Sequence, residues 1–220
     1  MTPARLLRWA GLLTVVGAAL IFVSQVVGAF LVRDPATLAA TAASPPFLAF
    51  ALLKLAGFIL LMPGLVSLYV RQSVAAGALG FVGFVTAFVG SALVLGDWWF
   101  KAFVVPWLAR VAPTVVTTPA DGTLLLGGVL SFSVFALGWL IFGAATFRAR
   151  VFPRWVAALL MAGAVLAYGQ GRPPLGALLA IAVGVMSVVA LRLDAGKHVG
   201  DSGAESAVPQ PAVRAHRSAG

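Results

Sequence analysis

The chain has 220 residues, of which 61% are hydrophobic and 10% charged, and its net charge is +9. A soluble domain gives about 25% of its residues to charge, so most of this surface is built for a solvent other than water, and the length suits one helical bundle. There is no cysteine, which excludes disulfides, thiolate chemistry and Cys-ligated metal sites. The positive charge would suggest nucleic acid in a soluble protein, but here it is expected at membrane edges, with membrane lipids and not nucleic acid as partner.

Six apolar stretches follow one another, at 9–32, 47–70, 75–96, 123–147, 151–169 and 174–191. Each is close to the length of about 20 residues that carries a helix across about 30 Å of hydrocarbon. The first follows Arg5 and Arg8 and so imitates a signal peptide. It has no well-placed cleavage site and outruns an h-region of about 7–15 residues, so it is expected to be the first spanning helix. Its face of Gly17, Ser24 and Gly28 suits close helix packing, and Gln25 lies near its outer end. A short outer loop at 33–46 leads to the second stretch. That stretch holds Lys54, about 10 Å below its outer edge at about 1.5 Å per residue, and Pro63-Gly64, which predicts a kink.

A tight inner turn at 71–74 opens the third stretch, where Gly80, Gly83, Ala87 and Gly90 share one face and read as a packing seam. Asp97 closes it. The connection from 97 to 122 begins with Trp98, Trp99, Lys101, Trp107 and Arg110. Its first part is too short to span and too apolar for free solution. It is expected to form a short outer interfacial helix, with Lys101 and Arg110 reaching lipid phosphates. It would serve as a lid over a polar pocket or simply as an aromatic anchor. Ser131 and Ser133 lie in the outer half of the fourth stretch.

A basic inner turn at 148–154, with Arg148, Arg150 and Arg154, precedes the fifth stretch, which Tyr168 and Gln170 close. Gly171 and Pro173-Pro174 mark a tight outer turn. The sixth stretch carries a second small-residue face, Gly176, Ala180, Gly184 and Ser187. Residues 1–192 thus form a six-helix transmembrane domain, and 193–220, poor in apolar residues, are expected to be a disordered cytoplasmic tail. Leu61, Gly64, Leu68 and Arg71 align at constant offset with Leu140, Gly143, Phe147 and Arg150. Duplicated hairpins and charge bias at inner helix ends both produce such a match.

With the N-terminus inside, eight basic residues flank the inner helix ends (Arg5, Arg8, Arg71, Arg148, Arg150, Arg154, Arg192, Lys197) and four the outer ends (Arg33, Lys101, Arg110, Arg172). This bias predicts both termini in the cytoplasm. The fold class is therefore all-α: a polytopic membrane bundle of six helices plus the interfacial one.

Polar groups at membrane depth are costly and mark function. Here they gather in the outer half: Lys54, Gln25, Ser131, Ser133 and the terminal Asp97. Lys54 either pairs with Asp97 at the floor of an outward-facing pocket or snorkels to the outer headgroups on its flexible stem. The two histidines, His198 and His216, lie in the tail, and no paired carboxylates, zinc-protease helix, serine elbow or phosphate loop occurs. No enzyme activity, metal or cofactor is predicted.

The stretches Gly96-Asp97-Trp98-Trp99-Phe100 with Phe103-Val104-Val105-Pro106-Trp107, and Phe135-Ala136-Leu137-Gly138-Trp139 through Arg148-Ala149-Arg150-Val151-Phe152-Pro153-Arg154, resemble uncharacterised small six-span membrane proteins of high-GC, actinobacterial-type bacteria. The resemblance implies the bacterial cytoplasmic membrane and carries over no activity and no functional residue. The expected role is non-enzymatic: binding a lipid or small amphiphile in the outward pocket, or acting as an accessory subunit. A small-solute transporter or channel is the alternative.

Overall fold

The computed structural model describes residues 2–32, 37–168 and 174–206, and every regular element among them is a helix. In chain order these are α1 (Pro3–Leu31), α2 (Leu38–Ala42), α3 (Pro45–Phe103), α4 (Val105–Val111), α5 (Pro113–Thr117), α6 (Gly122–Ala149), α7 (Arg154–Ala167) and α8 (Ala177–Ser206). Proline stands in the first turn of α1, α3, α4 and α5, where its missing N–H removes no intrahelical bond and its fixed φ suits the helix.

Four runs are long and apolar enough to cross a membrane: Ala4–Leu31, Pro45–Val111, Gly122–Ala149 and Ala177–Ala195. The second is not straight. Gly77 takes φ 57° and ψ −149°, a backbone region open essentially to glycine alone, and the chain reverses there. Tyr69 stacks on Phe84 with centroids 4.4 Å apart, and Phe50 meets Trp98 edge-on at 5.4 Å. α3 is thus a hairpin of two antiparallel limbs, 45–76 and 78–103. The reversal falls later than the expected turn at 71–74, because 71–76 stay helical and Arg71 and Gln72 face other helices. Pro63 lies inside the first limb with helical torsions on both sides. α7 has only 14 residues.

The small-residue faces are seams. A Cβ on Gly83 would lie 2.7 Å from Phe142 N, one on Gly90 2.4 Å from Phe135 N, and one on Gly138 2.3 Å from Ala87 N. These distances leave no room for a methyl group, so the second limb of α3 and α6 pack backbone against backbone. Gly17 and Gly57 do the same between α1 and the first limb, and Gly184 meets Ala18 between α8 and α1. α6 packs on α7, α7 on α8 and α8 on α1, closing the bundle. Between α1, the first limb of α3, α6 and α8 lies a small apolar cavity of about 10 Å³, lined by Ile21, Phe58, Leu61, Phe135, Trp139, Val183 and smaller apolar residues.

α2, α4 and α5 pack on one another at one end of the bundle. Two exposed indoles, Trp99 and Trp107, stand at this capped end, and Trp9 and Trp155 stand at the opposite end. Between these levels the surface carries Leu, Val, Ile and Phe, among them Phe22, Phe81, Leu126 and Ile181. An apolar girdle between two tryptophan levels is what a lipid bilayer requires of a protein surface.

Two expectations are corrected. The stretch 97–110 is not one interfacial helix: α3 continues through Phe103, and α4 starts after Val104. Trp98 is therefore no lid residue. It is 2% exposed, because Gly90, Val94, Trp98 and Ala102 continue one buried stripe at i+4 spacing. The expected tail also begins as helix, since α8 runs to Ser206. Its first turn past the apolar run is anchored by Asp194, which pairs with Arg71. Residues 207–220 lie outside the described residues.

Candidate functional site

At the capped end, the α3 hairpin brings residue 98 back against residues 50 and 54. Lys54 is fully buried there. Its Nζ lies 4.3 Å from the Trp98 ring centroid and 5.5 Å from that of Phe50, and it has no hydrogen-bond partner. The expected pair with Asp97 does not form. Asp97 Oδ2 instead accepts from Lys101 Nζ at 2.7 Å, one turn along the same helix, where a partner at i+4 is available without any tertiary alignment. Lys101 Nζ in turn lies 4.5 Å from the Trp98 centroid, so two lysine nitrogens approach one indole.

Gln25 comes to the same level by register. On antiparallel α1 and α3, Ile21 lies against Gly57. Gln25 is one turn beyond Ile21 and Lys54 nearly one turn before Gly57, so both are displaced toward the capped end. Gln25 is fully buried, and neither its Oε1 nor its Nε2 has a partner. Trp98 Nε1 is likewise buried and unpartnered. Four polar atoms on three residues are therefore left without hydrogen bonds in one layer of the bundle. Buried polar groups are normally satisfied, and each exception costs about 1–3 kcal/mol, more for a charge.

The other expected residues divide. Ser131 Oγ donates to Gly127 O at 2.7 Å within α6, and Ser133 is half-buried on the same helix; neither bonds Lys54 or Gln25. Trp99 and Trp107 are 54% and 55% exposed, and Arg110 is exposed beside them on α4. They face outward, as an anchor does.

A second polar cluster lies at the opposite end. Arg71 donates to Ser67 Oγ and, at 3.3 Å, to Leu7 O, and it pairs with Asp194 at 2.5 Å. Ser67 Oγ also donates to Leu7 O. Next to it, the buried Gln72 donates from Nε2 to Thr146 Oγ1 at 3.0 Å. Arg71, Gln72 and Asp194 were not expected to belong together. The Ser67–Arg71 spacing of one helical turn was the only local hint, since the partners come from α1, α6 and α8. Among the described residues no group of three or more His, Asp or Glu side chains could hold a metal ion.

No family model, curated protein or solved structure matches the chain. The chemistry of the two clusters alone bears on its role.

Proposed function

We propose that the chain is a non-enzymatic integral membrane protein that binds a lipid or small amphiphile at its capped, outward end. The observation that carries this reading is the set of four unpartnered atoms on Gln25, Lys54 and Trp98. Desolvated cation–π attraction to Trp98 supplies about 2 kcal/mol or somewhat more, against several for burying an uncompensated ammonium. A bound polar head with an apolar tail would satisfy the donors and suit the aromatic wall around them.

Six passes fit this reading: α1, the two limbs of α3, α6, α7 and α8. Both termini are then cytoplasmic, supported by the excess of Arg and Lys at the end away from the cap. The resemblance of the segments 96–107 and 135–154 to small multi-pass proteins of high-GC bacteria supports the bacterial cytoplasmic membrane. A transporter would need a polar route between the two clusters. The small cavity between α1, α3, α6 and α8 is apolar and has room for little more than one water, which favours binding over passage.

Mass spectrometry of molecules retained through purification in mild detergent tests the reading. The wild-type chain should carry an amphiphile that Lys54→Met loses. A wild-type chain that retains none, or a variant that retains the same amount, would overturn it.

A further inference from the structure

Resting on that reading, we infer that the ligand is a single-chain amphiphile with a carboxylate head, seated on Lys54, Gln25 and Trp98. The unpartnered atoms are unbalanced in kind. Lys54 Nζ, Gln25 Nε2 and Trp98 Nε1 donate, whereas Gln25 Oε1 alone accepts. A group offering acceptors only is what the layer lacks, and an ionised carboxylate has two such oxygens with about four lone-pair sites.

Charge points the same way. The charged neighbours of Lys54 are Lys101 and Asp97, and those two neutralise each other in their own ion pair. With Lys54 protonated, one positive charge is left over. A monoanion brings the layer to neutrality, whereas a phosphate monoester at about −2 overshoots it. A neutral alcohol leaves the ammonium uncompensated.

Shape selects among monoanions. The rings of Phe50 and Trp98 stand 5.5 and 4.3 Å from Nζ, with Phe47 edge-on to Phe50 at 5.8 Å, so a head group reaching Lys54 must fit beside aromatic faces. A carboxylate is flat and ends its chain. A phosphodiester carries substituents on two sides and would have to thread one of them past the rings. The rings themselves offer an apolar wall to a hydrocarbon tail.

Native mass spectrometry of the full chain in detergent, with palmitate, hexadecanol or phosphatidylglycerol added, tests this. Palmitate should give one adduct per chain. Lys54→Met should weaken it roughly tenfold or more, as expected for loss of a charged hydrogen bond. Trp98→Phe, which keeps the ring wall and removes one N–H, should weaken it severalfold. Gln25→Leu is the second test should Lys54→Met fail to give a folded chain by its melting curve; it too should weaken palmitate severalfold. Equal binding of hexadecanol, or binding of phosphatidylglycerol without palmitate, would overturn the carboxylate and leave amphiphile binding standing. Binding of none of the three would overturn both.

Discussion

Arg71 and Asp194 stand 123 positions apart in the chain, and their side chains meet at 2.5 Å. The same guanidinium reaches Leu7 O. One residue on α3 thereby ties the start of α1 to the point where α8 leaves the apolar layer.

Removing that tie has unequal consequences from its two sides. Arg71→Gln deletes charged hydrogen bonds to Ser67, Leu7 and Asp194 and should cost about 1.5–3 kcal/mol. The Asp194 side chain is 33% exposed, so Asp194→Asn should cost less, about 1 kcal/mol or below. Melting curves in detergent check the order. Equal losses would mean that the ion pair acts alone and the Leu7 contact contributes nothing.

The glycine seams give a graded series. Gly138→Ala and Gly90→Ala push a methyl into the backbone of the facing helix, and overpacking of this kind should cost about 1–3 kcal/mol. Gly96→Ala and Gly127→Ala meet nothing within 4 Å. They should be neutral, or stabilising by up to about 1 kcal/mol through helix propensity. Unfolding titrations in mixed micelles should separate the two pairs.

Gly77→Ala isolates backbone strain from crowding. Its Cβ would also meet nothing, yet the position has φ 57°. A cost of about 1–3 kcal/mol is expected from conformation alone. If Gly77→Ala melts with Gly96→Ala, the reversal does not depend on glycine.

Thr146→Val tests the buried amide. It removes the acceptor for Gln72 Nε2 and should destabilise the chain by about 0.6–2 kcal/mol, the range for hydrogen bonds between membrane helices. Adding Gln72→Leu should recover part of that loss. A double-mutant cycle in detergent measures the coupling, and strictly additive losses would contradict it.

The helical class and the packing faces were legible because both depend on local periodicity. Gly83 and Gly90 show their seam by spacing, whatever helix lies opposite. Pairings across the bundle were not legible in the same way. Lys54 and Asp97 match in depth, but depth leaves the direction around each helix undetermined, and Asp97 had a partner one turn away in Lys101. Trp98 was misassigned because a run of aromatics reads as one interfacial block. Its phase with Gly90 and Val94 was already in the sequence and points inward. Asp194 was hidden for another reason: composition assigns it to the tail, and only its long-range meeting with Arg71 makes it part of the bundle.

Of the six tryptophans, only Trp98 and Trp139 are buried, and Trp139 donates to Ser91 at 3.1 Å. Trp98 is the one with two lysine nitrogens near its ring, at 4.3 and 4.5 Å from the centroid. Its excited-state dipole is sensitive to charge at that distance, and an anion arriving beside Lys54 would shift its emission. Were the proposed ligand to bind there, with the four outward indoles silenced by quenchers and Trp139 as an internal standard, the colour of the emission would report on occupancy with no label attached.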